Sequence, residues 1–229
     1  MRVWATLLLA SLIACAERPP TTPFADLGNL SVQQIACFKS VATGMDGNRS
    51  SVIRRWHGIL LRVGGNPTAQ ELEWVDSAIS EINSFAGRSL IRQTADENQN
   101  LDLYFVPRDS MQAYEPHGRG SLAGFVWLYW DSNYFIHEGT IVIANDSQPE
   151  QRQHVIREEL AHSIGLLGHS NECGESVFSY GYLGPRYTAM DHFVIQTLYR
   201  PEIQVRMSAS DVDDVLRAMV LDPEALRSF

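Results

Sequence analysis

Basic residues are scarce in this sequence: 18 lysines and arginines stand against 27 aspartates and glutamates, for a formal net charge of −9. Nucleic acids ask for clustered Lys and Arg against their phosphates, so the balance argues against that class of partner. Cysteine is scarcer still, at three in 229 residues. Long apolar runs are missing as well. The run from Val3 to Ala14 is too short to cross a bilayer, and no later stretch is long and apolar enough to do so. What is there suits a globular domain. Hydrophobic residues make up 45% and charged residues 20%, which supports a core and argues against wholesale disorder. The length suggests one domain, or one domain with an appendage.

The opening run has the layout of an export signal. Arg2 precedes it, and it ends in Leu12-Ile13-Ala14-Cys15, which resembles the bacterial lipobox. The resemblance implies that residues 1–14 are a lipoprotein signal peptide and that Cys15 becomes the lipidated first residue. It also implies a cell-envelope protein held to a membrane by an N-terminal lipid. Ala16, where an Asp would favour the inner membrane, points by the same analogy to the outer membrane, facing the periplasm. A plain signal peptide with an incidental cysteine is the alternative. Residues 15–30 are proline-rich and read as a tether. Residues 31–229 then form the domain, with a core at about 51–200 and a C-terminal helical extension at 201–229. Cys37 and Cys173 remain. In an oxidising compartment such a pair reads first as one disulfide, with two buried free thiols as the alternative.

Within the domain, Ser31 to Val41 suits a short helix. Val52 to Trp56 and Ile59 to Val63 read as strand material, stopped by Gly64-Gly65-Asn66-Pro67. Thr68 and Glu71 make a capping box for a helix whose apolar stripe is Leu72, Val75, Ile79 and Ile82, with Gly87 at its end. Strands are expected at Leu101 to Val106, Ala123 to Trp130 and Gly139 to Ala144. A long helix opens after Asn145-Asp146-Ser147 near Pro149, with Ile156, Leu160, Ile164 and Leu167 facing the core. Gly174 to Pro185 is a Gly- and Tyr-rich loop. Thr188 caps a further helix, and a last one starts at Ser210. The order predicts an α+β class, with helices packed on a twisted mixed sheet.

The chemistry concentrates in Arg157 to Ser170, REELAHSIGLLGHS. Glu158 and His162 lie four apart, so a helix sets them on one side, one turn apart. Both are zinc ligand types. Glu159 follows the first ligand, the position that holds the general base in HExxH enzymes. His169 is the candidate third ligand, under one condition. A helix running straight on would carry it about 10 Å past His162, too far for ligand bonds of about 2 Å. The chain must therefore leave the helix near Gly165 and turn back, and glycine makes that exit at least cost.

From Glu158 to Ser170 the stretch resembles the metzincin signature HExxHxxGxxH, and the element order resembles the zincin fold with an active-site helix after an edge strand. The resemblance implies a Met-turn at Met190. It also implies a cleft along Gly139 to Ala144 where an extended peptide or an envelope protein adds as a strand. Two letters depart from the pattern: Glu158 replaces the first histidine, and one extra residue precedes His169. A nearer resemblance is to DUF2927, a bacterial family without settled activity. It rests on Arg54-Arg55-Trp56, Arg157 to Leu160, the Gly165-Leu166 turn and Leu198-Tyr199-Arg200-Pro201.

Three readings follow. One is an envelope metallopeptidase with zinc on Glu158, His162 and His169 and with Glu159 as base. Another is a zincin scaffold without catalysis, serving envelope binding or assembly. The third is a metal-bearing sensor. Plainer roles stand beside them. Glu158 and Glu159 read also as solvated charges paired with Arg152 and Arg157. His154 reads as surface or as a competing ligand, and Glu172 and His192 as substitute ligands. Tyr180, Tyr182 and Tyr187 read as loop shielding or as oxyanion donors. His57, His117 and His137 read as structural or surface.

Overall fold

The computed structural model describes residues 30–44, 52–116 and 123–221. The expected signal peptide, Cys15 and nearly all of the tether lie outside them, as does His117. Ser31 opens α1 (Val32–Thr43) with a reciprocal cap, its Oγ accepting from the Gln34 N–H while the Gln34 side chain accepts from its own N–H. There follow β1 (Arg55–Trp56), β2 (Ile59–Gly65), α2 (Ala69–Phe85), β3 (Ile91–Gln93) and β4 (Leu101–Val106). Then come α3 (Met111–Tyr114), β5 (Gly124–Trp130), β6 (Phe135–Ala144), α4 (Pro149–Ser163), α5 (Ala189–Leu198) and α6 (Ala209–Leu221).

The sheet is mixed and mostly parallel. β3, β2, β4 and β6 lie side by side and parallel, and β5 runs antiparallel along the far side of β6. β1 extends the row beside the start of β6, through Arg55 opposite Phe135 and Trp56 opposite Ile136. Helices α1, α2, α4, α5 and α6 cover one face, where Leu61, Leu101, Leu103, Phe105, Ile141 and Ile143 point into the main core. On the other face Val106, Phe125, Val142 and Ala144 form a smaller cluster with Met111 of α3. Burial on both faces is why Ile141 to Ala144 is apolar without alternation.

Most expected elements are present, with corrections. Of Val52 to Trp56 only Arg55 and Trp56 form a strand, and Val52 makes an isolated bridge to Ser208. The strand expected at Gly139 begins four residues earlier, at Phe135. It is also not an edge. β5 occupies one side of β6, and β4 and β1 occupy the other, so among the described residues the outer strand on this side is β5 and α4 follows an interior strand. β3 and α3 were not legible, being too short to show a period. On α2 the buried row is Glu71, Val75, Ala78, Ile79 and Ile82, and Leu72 stays 39% exposed because Glu71 takes the inward position.

Glu71 is buried to meet α4. Its carboxylate receives Arg152 at 2.6 Å, and one helical turn and a half later Arg157 reaches Ser77 and Glu81 at 3.2 Å each. These arginines therefore belong to the α2–α4 seam and do not neutralise Glu158 and Glu159. The seam fixes how α4 lies on the sheet, and so where its next turns point.

Candidate metal centre

The end of α4 is closed by side chains from distant segments. Its last carbonyls lack helical partners. Trp56 Nε1 donates to the Ser163 carbonyl at 2.8 Å, and the Tyr199 hydroxyl donates to the Ile164 carbonyl at 3.0 Å. Burial pushes the Tyr199 hydroxyl's pKa up, so it stays a donor. Arg55 holds the two segments together through the Leu198 and Arg200 carbonyls, at 3.2 Å each. Higher up the helix the Tyr187 hydroxyl donates to the Arg157 carbonyl at 2.8 Å.

Here the chain turns. Gly165 has φ of 115°, a left-handed value that side chains resist, and a Cβ on it would stand 2.4 Å from the Arg54 carbonyl oxygen. The return path is docked on α1, where the Gly168 N–H donates to the Val41 carbonyl at 3.0 Å. A Cβ on Gly168 would lie 2.6 Å from the Ser40 oxygen, so only glycine permits this approach. Beyond His169 the same docking is covalent. Cys173, in a short helical turn at Asn171–Cys173, is bonded to Cys37 of α1, which settles the two cysteines as a disulfide.

The turn brings the three expected ligands together. Glu158, His162 and His169 each offer a ligand atom, and these atoms all lie within 4.8 Å of one another. His162 Nε2 stands 3.2 Å from His169 Nε2, which is 2.9 Å from Glu158 Oε1. Atoms bound tetrahedrally to zinc at about 2.0–2.1 Å lie roughly 3.3–3.4 Å apart. Two of the three separations thus lie near those of a bound divalent ion, and all three atoms lie within the 4.8 Å that lets them close on one. His162 is oriented for it, since its Nδ1 faces the Leu166 carbonyl and its Nε2 is directed into the cluster. His169 stacks on the ring of Tyr180, with centroids 5.3 Å apart.

Glu158 has a further neighbour. His154, expected at the surface, is 2% exposed. Its Nε2 lies 3.3 Å from Glu158 Oε2 and its Nδ1 lies 3.0 Å from the Gly184 carbonyl oxygen. Tyr182 sits edge-on to the ring, with centroids 6.0 Å apart. Burial of Glu158 opposes ionisation, but hydrogen bonds from His154 and His169 and the histidine charges outweigh it and bring the carboxyl down to about 2. Burial likewise disfavours a charged His154, yet its bond and ion pair with Glu158 prevail and raise its pKa. The spacing of His154 and Glu158, four apart on a helix, was the signal that could have paired them.

Glu159 is 7% exposed and lines a cavity of about 440 Å³ together with the three ligands and His154. Trp127, Leu128, Trp130, Leu167 and Leu183 supply apolar wall. Gly124, at the start of β5, leaves room for Glu159, whose Cγ would be 3.1 Å from a Cβ there. The other named residues stand elsewhere. Glu172 is exposed on its short turn, and His192 stacks on Phe85. His57 stacks on Phe135, and His137 is exposed. Met190 lies in the first turn of α5, partly buried against the main core.

Fold and site together define a mixed α/β domain with a Glu-His-His group that could hold a metal. Residues 33–218 match the family described as DUF2927, a protein of unknown function, and the chain belongs to that family. No curated protein matches the sequence.

Proposed function

We propose that the domain is a metal-dependent peptidase of the cell envelope. The convergence of Glu158, His162 and His169 on one point, beside a carboxylate in a cavity, carries the reading. The three would hold the ion through Oε1 and two Nε2 atoms, and zinc suits a set of one carboxylate and two imidazoles. A divalent ion held there supplies Lewis acidity to a carbonyl oxygen and acidifies a water. Glu159 takes the attacking water's proton and returns it to the leaving amine. Among the described residues β5 pairs with β6 alone, so its other edge suits an extended peptide or an envelope protein added as a strand. A sheet of this kind, with the ligand-bearing helix beneath its antiparallel edge strand, supports a zincin-like assignment. The disulfide fits an oxidising compartment. A lipid on Cys15 would hold the domain at the outer membrane, facing the periplasm.

The test is the metal content of the purified protein after supplementation with divalent ions, paired with Glu159→Gln. At least half an equivalent of metal is expected in both proteins. Cleavage of a proteome-derived peptide library is expected in the unaltered protein and a loss of at least about 100-fold in the variant. Metal without cleavage in either protein would turn the reading to a sensor. No metal at all would leave a scaffold for binding or assembly.

A further inference from the structure

The histidine one turn before Glu158 has no place in the reaction just described, yet it is among the most enclosed polar groups of the cavity wall. We infer that His154 is a positioning residue, which orients the Glu158 carboxylate so that Oε1, and not Oε2, enters the ligand cluster. The inference rests on the proposed metal site and extends it to a residue outside the ligand set.

The geometry gives the reason. A carboxylate ligand has two equivalent oxygens on a flexible stem, whereas the two nitrogens of an imidazole lie on opposite sides of a rigid ring, so only one can face a given metal. Glu158 replaces that ring, so something else must choose between its oxygens. Oε1 lies 2.9 Å from His169 Nε2, inside the cluster, and Oε2 lies 3.3 Å from His154 Nε2, outside it. His154 is in turn fixed at its far nitrogen by the Gly184 carbonyl, at 3.0 Å, and by its burial against Tyr182. Both ring nitrogens therefore face oxygens, Nδ1 the Gly184 carbonyl and Nε2 the Oε2 atom. With Oε2 held, Glu158 contributes a single oxygen and leaves coordination positions for water and substrate, as a catalytic site requires. Gly184 belongs to the loop after Cys173, so the orienting group also links that loop to the ligand helix.

The experiment measures zinc affinity by competition with a chromophoric chelator. His154→Ala is expected to weaken binding about 10- to 100-fold, as loss of a partner to a metal ligand does. His154→Gln, which keeps an N–H near Oε2, is expected to stay within about threefold of the unaltered protein. The decisive arm uses Glu158→His, whose ring needs no orienting partner of this kind. In that background His154→Ala should change affinity by less than about threefold. Unaltered affinity in His154→Ala, or an equal loss in both backgrounds, overturns the inference while leaving the metal site standing. A loss in His154→Gln as large as in His154→Ala points to packing and overturns it as well. Absence of zinc binding by the unaltered protein overturns both this inference and the proposed function.

Discussion

His162 Nε2 and His169 Nε2 stand 3.2 Å apart, although the residues are seven apart in sequence. Along a continuing helix the separation would be about 10 Å. The difference is made by the six residues between them, Ser163 to Gly168, and by the groups that hold them: Gly165 against Arg54, Gly168 against α1, and the disulfide beyond. The site is thus a property of a turn more than of a helix.

Gly165→Ala should therefore be the most damaging small substitution near the site. It forces a side chain into a φ of 115° and sets a Cβ 2.4 Å from the Arg54 oxygen. Strain of this kind costs about 1–3 kcal/mol before the clash is relieved. Denaturant unfolding should show a loss of at least about 2 kcal/mol, and zinc affinity should fall with it. Near-unaltered stability would mean that the turn is not under the constraint described.

Much of this was legible in the sequence, and the reasons differ by element. The capping box at Thr68 and the cap at Thr188 marked helix starts because their chemistry is local. Gly165 was readable as the exit because a straight helix would part His162 from His169 by about 10 Å, and glycine ends a helix at least cost. The sheet's edge was not readable. Val126, Leu128 and Trp130 look as buried as Ile141 and Ile143, and which strand lies outermost depends on pairing, not on the strand's own letters. The roles of Trp56 and Tyr199 were hidden too, since they reach the carbonyls that end α4 from 107 and 35 residues away in sequence. They give a physical role to the motifs behind the family resemblance: Arg54-Arg55-Trp56 and Leu198-Tyr199-Arg200-Pro201 meet at the end of α4.

Tyr199→Phe should test that explanation. The change keeps the ring and removes the donor to the buried Ile164 carbonyl. An unsatisfied buried acceptor costs about 1–3 kcal/mol. Urea unfolding should register a loss in that range, and hydrogen exchange should quicken in the last turn of α4 ahead of the rest of the helix. Uniform acceleration would assign Tyr199 to general packing instead.

The disulfide should matter to the site as well as to stability. Cys173 follows His169 by four residues, and its partner lies 136 positions away in sequence on α1. Removing a native bridge typically costs about 2–5 kcal/mol. Reduction, or Cys37→Ser with Cys173→Ser, should lower the unfolding midpoint accordingly. Under conditions where the reduced protein remains folded, zinc affinity should also drop, because the loop carrying the third ligand loses its tether. A reduced, folded protein with unchanged affinity would show that the Gly168 docking is sufficient alone.

Thermal stability separates the two metal-bearing readings from a scaffold that has lost its metal. A ligand that binds only the folded state at 100 times its Kd stabilises by about 2.7 kcal/mol. For a chain of this size that is a Tm rise of about 5–10 °C. Zinc should raise Tm by that order, and a chelator should reverse the rise. His169→Ala should abolish most of the response, since a two-ligand remnant binds far more weakly. Glu159→Gln should retain it in full, because Glu159 lines the same cavity without belonging to the Glu158, His162 and His169 group. A scaffold that has lost its metal predicts no response in any of these proteins. A sensor predicts the same thermal pattern as a peptidase, so the two are parted by peptide cleavage alone, which Glu159→Gln must remove while leaving the zinc-dependent Tm unchanged.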